Sequence, residues 1–410
     1  MLVITNISKI LGATTQKRLC GEQMACNPTL ENAYIIIEGE NISDLSAMSQ
    51  LPQLPDNAKI IDAKGKAVMP SFCDSHTHLI YPTTRETEFI DRVKGLTYEQ
   101  IAKRGGGILN SADKLQNQSE DELYNSAYQR LRGIIKTGTG AVEIKSGYGL
   151  SVETEMKMLR VARRLQQDLP LTIRTTLLGA HAVGREFAGR QGEYVDMICS
   201  EMIPAVAAEG LADFVDVFCD KGFFTTDETA KILEAAAKYS LRGKIHANEL
   251  AVSGGVQIGV KYNALSVDHL EQMDEAAINA LKNTETMPTA LPGASFFLGI
   301  PYAPVRDMIT AGLPVAIASD YNPGSSPCGN MQFMMALSVI RARLLPTEAL
   351  TAATINSAYA MGLGETHGSI AVGKRANISI LKQGSTIDLM PYSYGENHVE
   401  QVILGGVVID

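Results

Sequence analysis

The sequence predicts an α/β fold: a (β/α)8 TIM-type barrel joined to a small β domain built from both chain ends. Three observations predict it. After Pro70, apolar strand-like runs alternate with amphipathic helices, and eight such units can be counted before Gly368. Both ends of the chain carry β texture instead, and 410 residues are enough for a barrel with something attached.

Residues 1–68 read as short strands broken by turn signals, in "AYIIIEGENI" and "AKIIDAKGKAVMPSF", with Gly39 and Gly65 as punctuation. Beyond Gly368 the same texture returns in "SIAVGKRANISILK" and "HVEQVILGGVVID". Residues 1–68 and 369–410 are therefore expected to form one composite domain, and residues 69–368 the barrel. The barrel strands are expected at 71–78, 139–145, 172–180, 213–219, 243–247, 264–269, 286–291 and 314–320. The helix in "SVETEMKMLRVARRLQQDLP" should open on Ser151 as N-cap, with Glu153 and Glu155 in its first turn. Met156, Leu159, Ala162 and Leu165 should face the core, and Pro170 should end it. "TTDETAKILEAAAKYSLRGK" and "PTEALTAATINSAYAMGLG" follow the same grammar, with Thr226 and Thr347 as expected caps and Gly243 and Gly362 as expected stops.

Composition narrows the function. Hydrophobic residues make up 45% of the chain and charged residues 20%, without low-complexity tracts, which places it among globular rather than disordered or fibrous proteins. The net charge is −9, and Lys and Arg are scattered rather than striped. No footprint for nucleic acid or an anionic membrane results, so a small-molecule partner is expected. "MLVITNISKI" has neither a basic start nor a long apolar run, and no stretch reaches about 18 uninterrupted apolar residues. The six cysteines are widely spaced, with no CxxC, as expected of reduced thiols. A cytoplasmic location is the expectation.

Five of the seven histidines carry the chemistry. His76 and His78 in "SFCDSHTHLI", His181, His246 and His269 all fall at the carboxyl ends of four expected strands, where a barrel builds its active site. His76 and His78 leave an extended strand on one face, and Asp74 shares that period. Asp320 ends the eighth strand, and Glu249 follows His246 by three residues. His76, His78, His246 and Asp320 supply three imidazoles and a carboxylate, a set suited to Zn²⁺ or Fe²⁺ with a position left for water. Such an ion lowers the pKa of its water toward about 7.

"PSFCDSHTHL", "KIHANEL", "SVDHLE" and "ASDYNPGSS" resemble the metal motifs of the amidohydrolase superfamily, whose members pair a metal-bearing barrel with a small β-sandwich domain. "RGGGIL", "EIKSGYGL", "LLGAHAV", "VDVFCDKGFF" and "DYNPGSSP", in this order, resemble the imidazolonepropionases within it. The resemblance implies one divalent ion per chain, a homodimer, and opening of the ring of 4-imidazolone-5-propanoate to N-formimidoyl-L-glutamate. It implies that Arg85 grips the carboxylate tail, as a guanidinium fork can, and that Tyr148, His181, Glu249, Asn322, Gly324 and Ser325 contact substrate. The Gly and Pro of "DYNPGSS" let backbone N–H groups turn toward an anion, though the Asn322–Ser325 stretch also fits a plain turn, and Arg85, read from its own spacing, a surface ion pair. Glu249 is expected to protonate the departing ring nitrogen. His269 either polarises the carbonyl or orients the water, and Asp320 takes the proton of that water. The chain departs from the pattern at Ser71, at "YPTT" before Arg85, and in lacking a proline after "GAHA". A nucleobase-like aminohydrolase is the alternative activity. A two-metal site bridged by carboxylated Lys145 is the alternative centre, and strand counting argues against it.

Overall fold

A computed structural model describes residues 1–96, 100 and 106–409. Arg104 and Gly105 of "RGGGIL" lie outside the described residues. The amino-terminal strands are β1 (Leu2–Leu11), β2 (Thr29–Glu38), β3 (Asn41–Ala47), β4 (Lys59–Asp62) and β5 (Ala67–Pro70). The barrel strands follow as β6 (Phe72–Thr77), β7 (Thr139–Lys145), β8 (Thr172–Ala180), β9 (Phe214–Cys219), β10 (Arg242–Ala247), β11 (Ser266–His269), β12 (Met287–Ala290) and β13 (Ala316–Ile317). The chain closes with β14 (Ile378–Leu381), β15 (Val399–Leu404) and β16 (Val407–Ile409).

Both chain ends share one mixed sheet. β1 pairs antiparallel with β2 on one side and parallel with β4 and then β5 on the other, and β5 pairs with β14. Alternate apolar residues of these strands, among them Ile4, Ile10, Ile35, Ile37, Ile378 and Ile403, form its core. The crossover between the two sheets falls at Ser71, whose hydroxyl lies 3.1 Å from that of Ser379.

The eight barrel strands run parallel in sequence order. They read as near-continuous apolar runs because helices cover their outer faces and side chains fill the interior. The helix Val152–Asp168 starts on Ser151 and buries Met156, Leu159, Ala162 and Leu165 as the periodicity requires. Two caps differ from expectation. Thr225, not Thr226, caps Thr226–Ala237, because Thr225 and Glu228 form a reciprocal capping box; that helix ends before Ser240, and Gly243 lies inside β10. Pro346, not Thr347, fixes the start of Pro346–Thr351, since proline is suited to the first helical position and Glu348 takes the Leu345 N–H at 2.7 Å.

The eighth strand is shorter than expected. Asp320 has a φ of 52°, which breaks the ladder beyond β13. Closure is made instead by the Asp320 N–H donating to the His76 carbonyl at 3.0 Å and the His78 N–H donating to that of Tyr321 at 3.0 Å. The seam that closes the barrel thus joins three expected metal-binding residues.

Candidate metal centre

At the carboxyl ends of the strands lies a cavity of about 560 Å³. His78, His246 and Asp320 line it, with Tyr148, His181, Glu249, His269, Arg85, Asn322, Gly324 and Ser325 around them and His76 buried behind. The structure therefore brings every sequence-expected site residue to one place.

The ligating atoms converge. His76 Nε2 and His246 Nε2 each lie 3.3 Å from His78 Nε2, and Asp320 Oδ1 lies 3.7 Å from His76 and 3.6 Å from His78. Four ligands about 2.0–2.1 Å from a central ion would be about 3.4 Å apart at the corners of a tetrahedron. Asp320 Oδ1 is buried with no hydrogen-bond donor, while Oδ2 accepts the Ser325 hydroxyl at 3.0 Å. An orphaned carboxylate oxygen facing imidazole nitrogens fits a divalent cation.

Carboxylates lie behind two of the histidines. His76 Nδ1 lies 2.7 Å from Asp268, so a proton held there leaves its Nε2 as an acceptor, and His246 Nδ1 lies 3.0 Å from Asp216. Burial lowers the pKa of His76 and His78 well below the usual histidine value, and the neighbouring cationic groups add to this. His246 is also lowered, by burial against the pull of Asp216. All three are therefore neutral, as ligands must be.

His269 differs. Burial would lower its pKa, but Glu249 at 3.7 Å and Glu271 at 3.5 Å raise it to about 10. Its nitrogen comes close enough to those of His76 and His246 to join a ligand set, yet a protonated imidazole between two carboxylates is a donor. Burial, and then Glu249, push Asp320 up to about 7, against the opposing charge of His269.

Lys145 is paired with carboxylates behind the cation site, which disfavours a bridging role. Its Nζ lies 2.6 Å from Glu143, 2.8 Å from Asp216 and 3.7 Å from Asp268, entirely buried. Burial opposes its charge, but these carboxylates raise its pKa, which disfavours the neutral amine that carboxylation needs. Lys244 joins the same network through Glu143 and the carbonyls of Ser75 and Ala360 at 3.0 and 3.2 Å. Sequence reasoning missed Glu143, Asp216, Lys244 and Asp268. Their signal was an ionisable residue inside an otherwise apolar barrel strand, as in "FVDVF", which must find a partner. Asp74 does not reach the cation site: β6 is irregular between Asp74 and Thr77, and the carboxylate takes the Ser319 N–H at 2.9 Å and its hydroxyl at 2.5 Å.

The substrate side is also built. Burial, with His246 nearby, lowers the His181 pKa to about 3; its Nδ1 faces the Gly147 carbonyl at 2.9 Å and its ring stacks on His78 at 5.1 Å. Gly147 has a φ of 105°, and any Cβ there would press on that imidazole. Arg85 immediately precedes the helix Glu86–Val93 and donates from Nε to Glu88 at 2.9 Å. The ion pair allowed by its spacing is thus real, but it sits in the cavity wall. A Cβ on Gly324 would overlap the Arg85 guanidinium, so a side chain there would displace the end of that arginine. The Gly324 and Ser325 amides do not turn toward an anion: both donate to Asn322 Oδ1, at 2.7 and 2.8 Å. Within "YPTT" the Tyr81 ring centre lies 3.4 Å from the Arg130 guanidinium, and Arg130 donates to the Leu79 and Tyr81 carbonyls.

A parallel eight-stranded barrel with three histidines and an aspartate converging at its carboxyl rim defines a metal-dependent hydrolase. The chain belongs to the amidohydrolase family, which matches residues 67–409, and within it groups with the imidazolonepropionases. It is 51% identical to the imidazolonepropionase of Flavobacterium johnsoniae, covering 99% of each chain, and 47% identical to that of Christiangramia forsetii, covering 100% of each. In fold it is similar to a zinc-complexed atrazine chlorohydrolase from Arthrobacter aurescens, with a TM-score of 0.73 at 15% identity over 100% of this chain and 95% of that one.

Proposed function

We propose that this chain hydrolyses the ring carbonyl–nitrogen bond of 4-imidazolone-5-propanoate to give N-formimidoyl-L-glutamate, with one Zn²⁺ or Fe²⁺ held by His76, His78, His246 and Asp320. Bound there, such an ion would act as a Lewis acid and lower the pKa of a water toward about 7. Arg85 at the rim binds the propanoate carboxylate, and Tyr148, His181, Asn322, Gly324 and Ser325 frame the ring. Protonated His269 donates to the carbonyl oxygen as charge develops there. Asp320 accepts a proton from water, and Glu249 delivers one to the departing ring nitrogen. Water is thereby added across one C–N bond, and the carbonyl becomes the α-carboxylate.

The observation that carries this reading is that histidines and an aspartate able to hold a cation share one cavity with the Arg85 guanidinium. A neutral nucleobase offers Arg85 nothing to hold, which disfavours the aminohydrolase alternative. Incubation with 4-imidazolone-5-propanoate should yield a product heavier by one water. Ammonia release from a neutral nucleobase without that hydration would sink the reading. No helix among the described residues is long and apolar enough to cross a membrane. All six cysteines are free, which supports a reducing cytoplasm. A homodimer is the assembly proposed, and sedimentation tests it.

A further inference from the structure

Glu249 sits on an irregular loop between β10 and the helix Gly255–Lys261. A proton donor on such a loop must be fixed if it is to meet one ring nitrogen. Asn248 has a φ of 56°, so the chain reverses just after β10. The amides that follow fall on a single carboxylate, that of Asp220 just beyond β9. Asp220 Oδ2 accepts the Glu249 N–H at 2.7 Å and the Leu250 N–H at 2.9 Å; Oδ1 accepts those of Ala251 at 3.2 Å and Lys221 at 2.6 Å. Asp220 is only 4% exposed and does not line the cavity. A second tie runs from the Ser253 hydroxyl to the Cys219 carbonyl at 2.8 Å.

Charge-assisted bonds to backbone are short and directional. Four of them fall on one buried carboxylate, and three restrain the segment that begins at Glu249. We infer that Asp220 is a positioning residue: it locks the Glu249 backbone to the end of β9, so that the Glu249 carboxyl group stays beside His269 and over the scissile bond. It does not line the cavity, and its carboxylate bonds to backbone amides. The inference rests on the hydrolytic reading above.

A double-mutant cycle tests it. Asp220→Asn keeps the volume but one acceptor oxygen, and Asp220→Ala removes both. Each should lower kcat by about 10- to 100-fold, with the alanine worse, as a small displacement of a catalytic group does. KM and bound metal should stay within about twofold, since the tail and ligand residues are untouched. In Glu249→Gln the shuttle is already lost, so adding Asp220→Asn should cost little more. Independent losses that multiply in the double variant overturn the inference, as does an unchanged kcat or a loss carried by KM or metal content. If neither Asp220 variant folds, Asp220 serves the fold rather than the shuttle, and the inference falls. Wild-type protein without turnover overturns the proposed activity itself, an outcome distinct from active wild type with an indifferent Asp220.

Discussion

Replacing Arg85 with alanine probes the substrate side of the cavity. Its side chain is 9% exposed, one edge held by Glu88 and Nη1 near Gly324. A carboxylate bound there is partly withdrawn from water, where a hydrogen bond to a charged group is worth about 1.5–3 kcal/mol. At about 1.4 kcal/mol per decade, Arg85→Ala should lower kcat/KM on 4-imidazolone-5-propanoate by about 10- to 150-fold. Arg85→Lys keeps the charge without the fork and should fall between. Initial rates with the natural substrate and with its uncharged propanamide give the decisive comparison. Wild type should discriminate strongly between the two, and Arg85→Ala hardly at all. A variant that keeps the wild-type preference would place the tail elsewhere and refute the assignment.

Other outcomes follow from the buried charges. Asp268→Ala removes the group that fixes the His76 tautomer, and metal affinity measured by competition with a chelator should drop by about 10- to 100-fold. Lys145→Met leaves Asp216 and Asp268 without their shared cation. Denaturant unfolding should show a loss of about 3–5 kcal/mol, whereas a bridging lysine would instead show lost metal with stability otherwise kept. His367 lies outside the metal site, bonded to Thr172 at 2.9 Å and Thr366 at 2.8 Å, and burial, with Arg375, Arg174 and Lys374 nearby, holds its pKa at about 3. The unfolded chain takes up that proton below about pH 6.5 while the folded one does not, so stability is lost as pH falls through 6.5. The advantage of wild type over His367→Gln should shrink by about 2 kcal/mol between pH 7 and pH 5. A constant difference would mean the folded imidazole titrates normally.

The barrel was legible because parallel strands buried on both faces are written as apolar runs, each ending where polar ligands begin. His76, His246 and Asp320 were visible for that reason. Asp216 and Asp268 were not, because their meaning depends on which distant strand they meet, and adjacency in the barrel is not written locally. The Asn322–Ser325 stretch looked like an anion cradle, but the Asn322 side chain takes the amides itself, a competition the glycine and proline do not announce. The cap at Thr225 was missed by one residue, since either threonine suits the role and only the reach of Glu228 decides.

The most direct test is a metal titration of the stripped protein. Chelation should abolish hydrolysis of 4-imidazolone-5-propanoate, and one equivalent of Zn²⁺ or Fe²⁺ per chain should restore it, with no restoration in His246→Ala. Full turnover by metal-free protein, or a requirement for two equivalents, would contradict a single cation held by three imidazoles and Asp320.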